Sequence, residues 1–198
     1  MSDEPPQSVV DRAAATFTWT DGDIAQVVRT IVTSPEFFSR AAFRAKVKTP
    51  FELVVSARRA LASAPDTTPT TARLVGQLGQ PIFGRLTPDG WPDAGGAWIN
   101  SGTIYQRIRF GYDTAEGRAQ LAPVERWHGW ATLSTQPLNR QVDGVLTNML
   151  GGVAEPKTRE VMLATRGGAP VGGDAASGPR RLRALIAIAF GSPEFQRR

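Results

Sequence analysis

The side chains that most often carry catalysis are scarce in this sequence. It contains no cysteine and one histidine, His128, which excludes thiolate nucleophiles, disulfides, zinc–thiolate sites and multi-histidine metal sites within the chain. His128 is the only conventional base for a nucleophilic triad, and it lies between two tryptophans without a recognisable serine motif nearby. The sequence therefore predicts no catalytic, cofactor-binding or metal-binding residue.

Two short motifs resemble ligand sites but lack the residues that would complete them. Asp21-Gly22-Asp23 begins like a calcium loop, yet the downstream ligands and the closing glutamate are missing. We predict instead that Asp21 or Asp23 caps the following helix. The glycines between 167 and 173 have neither the preceding strand nor the Lys-Ser/Thr pair of a phosphate-binding loop.

The remaining candidates for ligand contact are aromatic residues in irregular segments. Tryptophans in loops can stack on sugars, bases or cations, and they can also close a loop onto a helical core. Both alternatives remain open from the sequence. The tentative ligand-binding residues, from segments 80–98 and 127–130, are Trp91, Trp98, Trp127, His128 and Trp130.

The net charge of +5 arises from 23 Lys and Arg against 18 Asp and Glu. It is not clustered as nucleic-acid binding usually requires, so we predict no specific nucleic-acid partner. Solvated helix ends and a charged tail explain it, with weak attachment to an anionic surface as the alternative. The positive residues are densest at the end of the chain, at Arg180, Arg181, Arg183, Arg197 and Arg198.

Neither a membrane span nor a targeting segment is evident. The longest apolar run, residues 185–191, is far shorter than the roughly 20 residues needed to cross a bilayer. The acidic, proline-containing N-terminus lacks the apolar core of a signal peptide. The compartment stays unknown, with a soluble, cytoplasmic protein as the default expectation.

The best-defined helix signal begins at Thr49. Thr49 can cap a helix, Pro50 suits its first position, and Glu52 can bond back to the N–H of the cap. The apolar run that follows predicts a helix buried over most of its circumference. Arg58 falls inside the apolar arc, so we expect a stem that reaches solvent or a structural pair rather than a ligand contact. The residues with predicted structural roles are Thr49, Pro50, Glu52, Arg58 and Arg59.

Helical periodicity recurs along the chain, and no segment sustains an alternation with a period of two. We predict an all-α fold, an irregular multi-helix domain of about seven helices. Residues 80–96 form a long loop, because seven of these seventeen residues are Gly or Pro. Residues 1–7 are expected to be disordered, 8–198 to form a single helical domain, and 167–179 to be a flexible linker within it.

One motif occurs twice. Ser34-Pro35-Glu36-Phe37 and Ser192-Pro193-Glu194-Phe195 each follow an apolar helical run. Two copies do not define a solenoid, which needs at least three repeats for stability. We therefore interpret them as one helix-terminating device used twice, and we expect each phenylalanine to fold back onto the core.

Further motifs give the chain a family resemblance. With Val47-Lys48-Thr49-Pro50-Phe51-Glu52, Leu78-Gly79-Gln80-Pro81 and Gly90-Trp91-Pro92, it resembles the C-terminal part of a bacterial family catalogued as domain of unknown function 1800. Family members are longer and carry an N-terminal helical region, so the resemblance implies a fragment or a truncated product. It implies a helical fold and supplies no established activity, cofactor or catalytic residue. Position 58 departs from the family pattern, because an apolar residue is expected there.

Two classes of function follow. The first is a non-catalytic helical binding or scaffold module, with segments 80–98 and 127–130 forming a surface or cleft. The alternative is the C-terminal part of an enzyme whose catalytic residues lie in a preceding N-terminal region. The partner is unknown, with that region or another protein as the candidates, and no cofactor is expected.

Overall fold

The computed structural model describes residues 2–165 and 178–198, and across them the secondary structure is helical and contains no strand, which confirms the all-α prediction. The nine α-helices of these residues exceed the predicted seven, partly because α6 is too short to show periodicity. Gly95–Ala97 and Val124–Arg126 are 3₁₀ helices. The α-helices are α1 (Gln7–Trp19), α2 (Ile24–Val32), α3 (Pro50–Ala60), α4 (Thr70–Gln77), α5 (Ser101–Ala115), α6 (Trp130–Leu133), α7 (Leu138–Leu150), α8 (Pro156–Ala164) and α9 (Gly178–Gly191).

The start of α3 has the geometry that its sequence indicates. Thr49 Oγ1 accepts a hydrogen bond from the N–H of Glu52 at 3.3 Å, and Glu52 Oε2 accepts one from the N–H of Thr49 at 2.9 Å. Pro50 occupies the first turn, where no intrahelical partner for its nitrogen is needed. The two reciprocal bonds satisfy donors that a helix start leaves unpaired.

Other helix ends follow equally local rules. Asp23 caps α2, because its Oδ1 accepts from Ala25 N at 2.9 Å and from Gln26 N at 3.2 Å. Gly151, with a φ of 65°, ends α7 in the left-handed conformation that glycine adopts without strain. Within the part of the chain that is described, no helix combines the length and apolarity that crossing a membrane requires.

Helix α9 lies at the centre of the fold. Of the described helices, α5 and α7 make the most extensive contacts with it. At Gly111, α5 approaches so closely that an added Cβ would lie 3.0 Å from the backbone nitrogen of Gly191. The α9 residues turned towards this core are 0% exposed and are Leu182, Leu185, Ile186, Ala189 and Phe190.

The C-terminal segment returns to the start of α3. The N–H of Lys48 donates to the carbonyl of Gln196 at 2.8 Å, and the N–H of Arg198 donates to the carbonyl of Lys46 at 2.9 Å. Arg107 of α5 is buried beneath this pairing, where it donates to Lys48 O at 2.8 Å and to Gln196 Oε1 at 3.0 Å. One buried guanidinium thus joins α5 to both paired segments, a contact that local sequence patterns do not indicate.

Two segments that the sequence predicts to be disordered or flexible lie next to helices. Residues 2–6 precede α1, and Asp3 among them accepts a hydrogen bond from Gly95 N at 2.7 Å and pairs with Lys46 at 3.2 Å. The expected linker 167–179 lies largely outside the described residues, and its last two positions belong to α9.

Candidate functional site

Two of the predicted aromatic residues are packed into the fold. Trp98 is 6% and Trp127 1% exposed. Trp98 Nε1 donates to Pro92 O at 2.9 Å, and its ring lies 5.9 Å from that of Trp91. Trp127 belongs to the same apolar core as α9. Of the two roles open to loop tryptophans, closing a loop onto the core is the one that the burial of Trp98 and Trp127 favours.

The other three predicted residues reach the surface. His128 is exposed, and Trp130 is half-buried with the guanidinium of Arg183 5.7 Å from its ring centre. Trp91 is half-buried with the guanidinium of Arg85 5.8 Å from its ring centre. Trp91 lines a cavity of about 470 Å³ to which segment 127–130 contributes no residue. The ligand-binding role of these residues stays a prediction.

Several of the arginines singled out by the sequence have partners within the chain. Arg58 donates to Ala64 O and lies 3.7 Å from Asp66, so its head is held in a structural pair. Arg183 pairs with Glu125, and Arg181 Nε donates to Gln141 Oε1 at 2.9 Å. These contacts occupy two cations of the terminal arginine cluster.

A charged cavity of about 610 Å³ lies between residues 40–44, the loop before α8 and the C-terminal segment. Arg44 is engaged there by the carbonyls of Leu150 at 2.5 Å and Val153 at 2.8 Å. Burial raises the pKa of Glu194, but hydrogen bonds, chiefly from Glu155 N at 2.7 Å, outweigh it and lower the pKa below its usual value. Glu194 thus serves as an anionic cap at the start of α8.

An apolar groove with a volume of about 560 Å³ lies between α5, α8 and the end of α9. Ile108, Tyr112 and Val161 line it and are 44–53% exposed. Ala187 and Ile188 of α9 complete its floor. We call this surface, defined by these five side chains, the apolar groove.

Helical periodicity explains how the apolar groove arises. Ile108 and Tyr112 are four residues apart and therefore share one side of α5, while Gly111 faces α9 and Phe110 is buried. Helix α9 carries apolar residues on nearly its whole circumference, which is typical of a fully covered helix. Residues such as Ile108 would be taken for core from their spacing alone. They differ from core residues because no element among the described residues covers them.

Polar side chains lie at the rim of the apolar groove. Glu155 and Lys157 line the cavity and are exposed, and Thr158 and Ser192 line it as buried residues. Lys157 Nζ is 3.1 Å from Glu160. In residues 2–165 and 178–198, no three His, Asp or Glu side chains are grouped to hold a metal ion. The chemistry offered here is therefore apolar contact bordered by exposed charge.

Comparison with known proteins places the chain in a family. The family model described as protein of unknown function DUF1800 matches residues 1–197, which is essentially the whole sequence. No curated protein and no solved structure shows significant similarity to the chain. By this match over its whole length, the chain belongs to the DUF1800 family.

Proposed function

We propose that this chain is a non-catalytic helical binding module whose binding surface is the apolar groove. The supporting observation is that Ile108, Tyr112 and Val161 stand about half exposed around one cavity of about 560 Å³. Scattered apolar side chains are ordinary on a protein surface, whereas a contiguous concave group marks an interaction site.

The occupant that suits the groove is an amphipathic helix of a protein partner. The walls are helices, so ridges of a further helix can enter between the side chains of α5 and α8. Such helices present apolar anchors at i, i+3, i+4 and i+7. Lys157 and Glu155 at the rim would orient the polar side of the ligand, because exposed charges contribute more to orientation than to affinity.

The test uses a fluorescein-labelled amphipathic peptide with leucines at helical spacing and measures binding by fluorescence anisotropy. We expect Ile108→Glu and Val161→Glu each to weaken binding at least about tenfold, since a buried carboxylate opposes apolar contact. Ile82→Glu is the matched control, because Ile82 is an exposed apolar residue outside the groove. Equal binding by the wild type and both groove variants would contradict the proposal.

A second candidate function is the C-terminal part of an enzyme with its catalytic residues in a preceding region. The uncovered apolar side of α1 and α2 favours it, because such a surface can receive a further helical region. A longer DUF1800 protein with a catalytic activity that this chain lacks would support this second function. A longer relative that is equally inert over the same substrates would count against it.

A further inference from the structure

Helices α1 and α2 form a hairpin with an uncovered apolar face. A short turn joins the helices, and each has extensive helix contacts only with the other in the described structure. Helix α2 contains no buried residue despite its apolar composition. The larger side chains of the face are 38–62% exposed. We define the hairpin face by Val10, Ala14 and Phe17 on α1 and Ile24, Val28 and Val32 on α2.

The two halves of the hairpin face lie on the same side. The helices meet where Thr16 Oγ1 and Thr30 Oγ1 are 3.1 Å apart. On each helix, the row of exposed apolar side chains is rotated by about 100° around the helix axis from the residues that contact the other helix. The direction of this rotation is the same on both helices. Because the helices of a tight hairpin are antiparallel, equal rotations bring both rows to one side. The less exposed residues along the contact are Val9, Ala13 and Thr16 on α1 and Val27, Thr30 and Ile31 on α2.

The repeated Ser-Pro-Glu-Phe motif allows the exposed apolar row of α2 to be compared with a buried apolar row, that of α9. Phe37 N donates to Ser34 Oγ at 3.3 Å, and Phe195 N donates to Ser192 Oγ at 3.3 Å, so the two turns have matching geometry. Aligning the two serines superposes the apolar row of α2 on the core row of α9. The pairs are Ile24 with Leu182, Val27 with Leu185, Val28 with Ile186, Ile31 with Ala189, and Val32 with Phe190.

The α9 members of these pairs are all 0% exposed, whereas none of the α2 members is buried. Two helices, α5 and α7, provide most of the cover for α9. Among the described residues, the one helix that packs extensively against α2 is α1, so α2 has the apolar row of a core helix without a second covering layer. A partner that supplies two further helices would give it an environment like that of α9.

We propose that a second copy of this chain covers the hairpin face, with the two hairpins forming a four-helix bundle about a two-fold axis. The second hairpin supplies two helices, as α5 and α7 do for α9. A face meeting its own copy gives a closed dimer rather than an open chain of molecules. This surface is separate from the apolar groove, so the inference does not depend on the binding role proposed for that groove. It is an alternative to the second candidate function, in which a preceding helical region would cover the same face.

The size of the hairpin face suits such a dimer. Its exposed side chains amount to roughly 400 Å² of apolar surface per copy, or about 800 Å² for two copies. Interfaces are about 60% apolar, so the polar rim brings the total to about 1,300 Å². That area lies within the range of specific protein–protein interfaces, which begins near 1,200 Å².

Sedimentation equilibrium over a wide range of protein concentration tests the proposal. We expect the wild type to dimerise reversibly, and Val28→Glu to raise the dissociation constant at least about tenfold, because a carboxylate would be buried without a partner. Ile108→Glu, in the apolar groove, is expected to leave dimerisation unchanged, which separates this test from that of the proposed function. A wild type that stays monomeric, or a Val28→Glu variant that dimerises equally well, would overturn the inference.

A cross-linking measurement keeps the test decisive if the charged variant loses its fold. The chain has no cysteine, so Val28→Cys introduces a single reactive thiol. A short bis-maleimide should then link two copies through Val28→Cys and leave Tyr105→Cys uncoupled, since Tyr105 is exposed on α5 and is not part of the hairpin face. Equal coupling of both variants, or of neither, would contradict the proposed dimer.

Discussion

At the scale of single residues, Gln141 is a polar connection inside the core. It is fully buried on α7. Its Nε2 donates to Leu133 O at 2.9 Å, Ser134 O at 3.3 Å and Gly178 O at 3.0 Å, while its Oε1 accepts from Arg181. One amide therefore joins the end of α6 to the start of α9. Its side chain satisfies carbonyls that would otherwise lie unpaired in the interior.

We expect Gln141→Leu to lower the free energy of unfolding by about 2 kcal/mol, because the buried carbonyls and Arg181 would lose their partner. Urea denaturation followed by circular dichroism measures the change. Gln26→Leu, at an exposed position of α2, is the matched control and should change stability by less than about 0.5 kcal/mol. Equal effects of the two substitutions would refute a structural role for the Gln141 amide.

At the scale of elements, the two Ser-Pro-Glu-Phe turns share their local bonds and differ in their surroundings. The ring of Phe195 lies 4.7 Å from that of Phe190, with Lys48 Nζ 4.3 Å above it. Phe37 is half-buried and contacts exposed Phe38 at 5.1 Å. The expected return of each phenylalanine to the core thus occurs for Phe195, whereas Phe37 lies outside the core cluster. The turn itself is local, but the covering of its aromatic ring is tertiary.

The contrast predicts unequal effects for one substitution made in both copies. Phe195→Ala should lower the free energy of unfolding by about 3–5 kcal/mol, as is typical when a buried ring leaves a cavity. Phe37→Ala should cost about 1 kcal/mol or less, because its ring is already partly hydrated. Thermal and urea unfolding of the two variants provide the comparison. If Phe37→Ala proved as damaging as Phe195→Ala, the first turn would have a covered core of its own.

At the scale of the whole molecule, the pairing of residues 46–48 with the C-terminal segment places Lys48 in a confined position. Burial lowers the pKa of Lys48 to about 8, and the nearby positive charge of Arg44 acts in the same direction, while Glu52 opposes them. Lys48 Nζ donates to Phe195 O at 2.7 Å, a bond that the neutral amine can also make. A long-range contact between distant parts of the chain thus sets the proton affinity of one amine.

This lowered pKa gives the stability of the fold a defined pH dependence. Between pH 8 and 10.5 the unfolded chain holds the proton that folded Lys48 has lost, so the free energy of unfolding rises with pH across this window. We expect the stability of the wild type relative to Lys48→Met to increase from pH 8 to pH 10 and to stay level below pH 8. Urea denaturation at several pH values measures it, with Lys157→Met as the control at an exposed lysine. If the difference in the free energy of unfolding between the wild type and Lys48→Met did not change with pH, the lowered pKa of Lys48 would be contradicted.

Local chemistry in the sequence determined the class of the fold and several of its boundaries. Apolar spacing indicated helices, Thr49 with Glu52 specified a capping box, and Asp21 or Asp23 was expected to cap α2, a role that Asp23 has. These features are predictable because their partners lie within a few residues. The motifs also identified the family, since their types and order recur as a set.

The tertiary structure alone decided which apolar surfaces are covered. Helices α2 and α9 have matching apolar rows, yet only α9 is enclosed, because α5 and α7 reach it from distant parts of the chain. Trp98 and Trp127 are buried while Trp91 and Trp130 reach the surface, for the same reason. Periodicity shows that a helix has an apolar side. Whether that side meets the interior, a groove or a second molecule depends on contacts that no local pattern specifies.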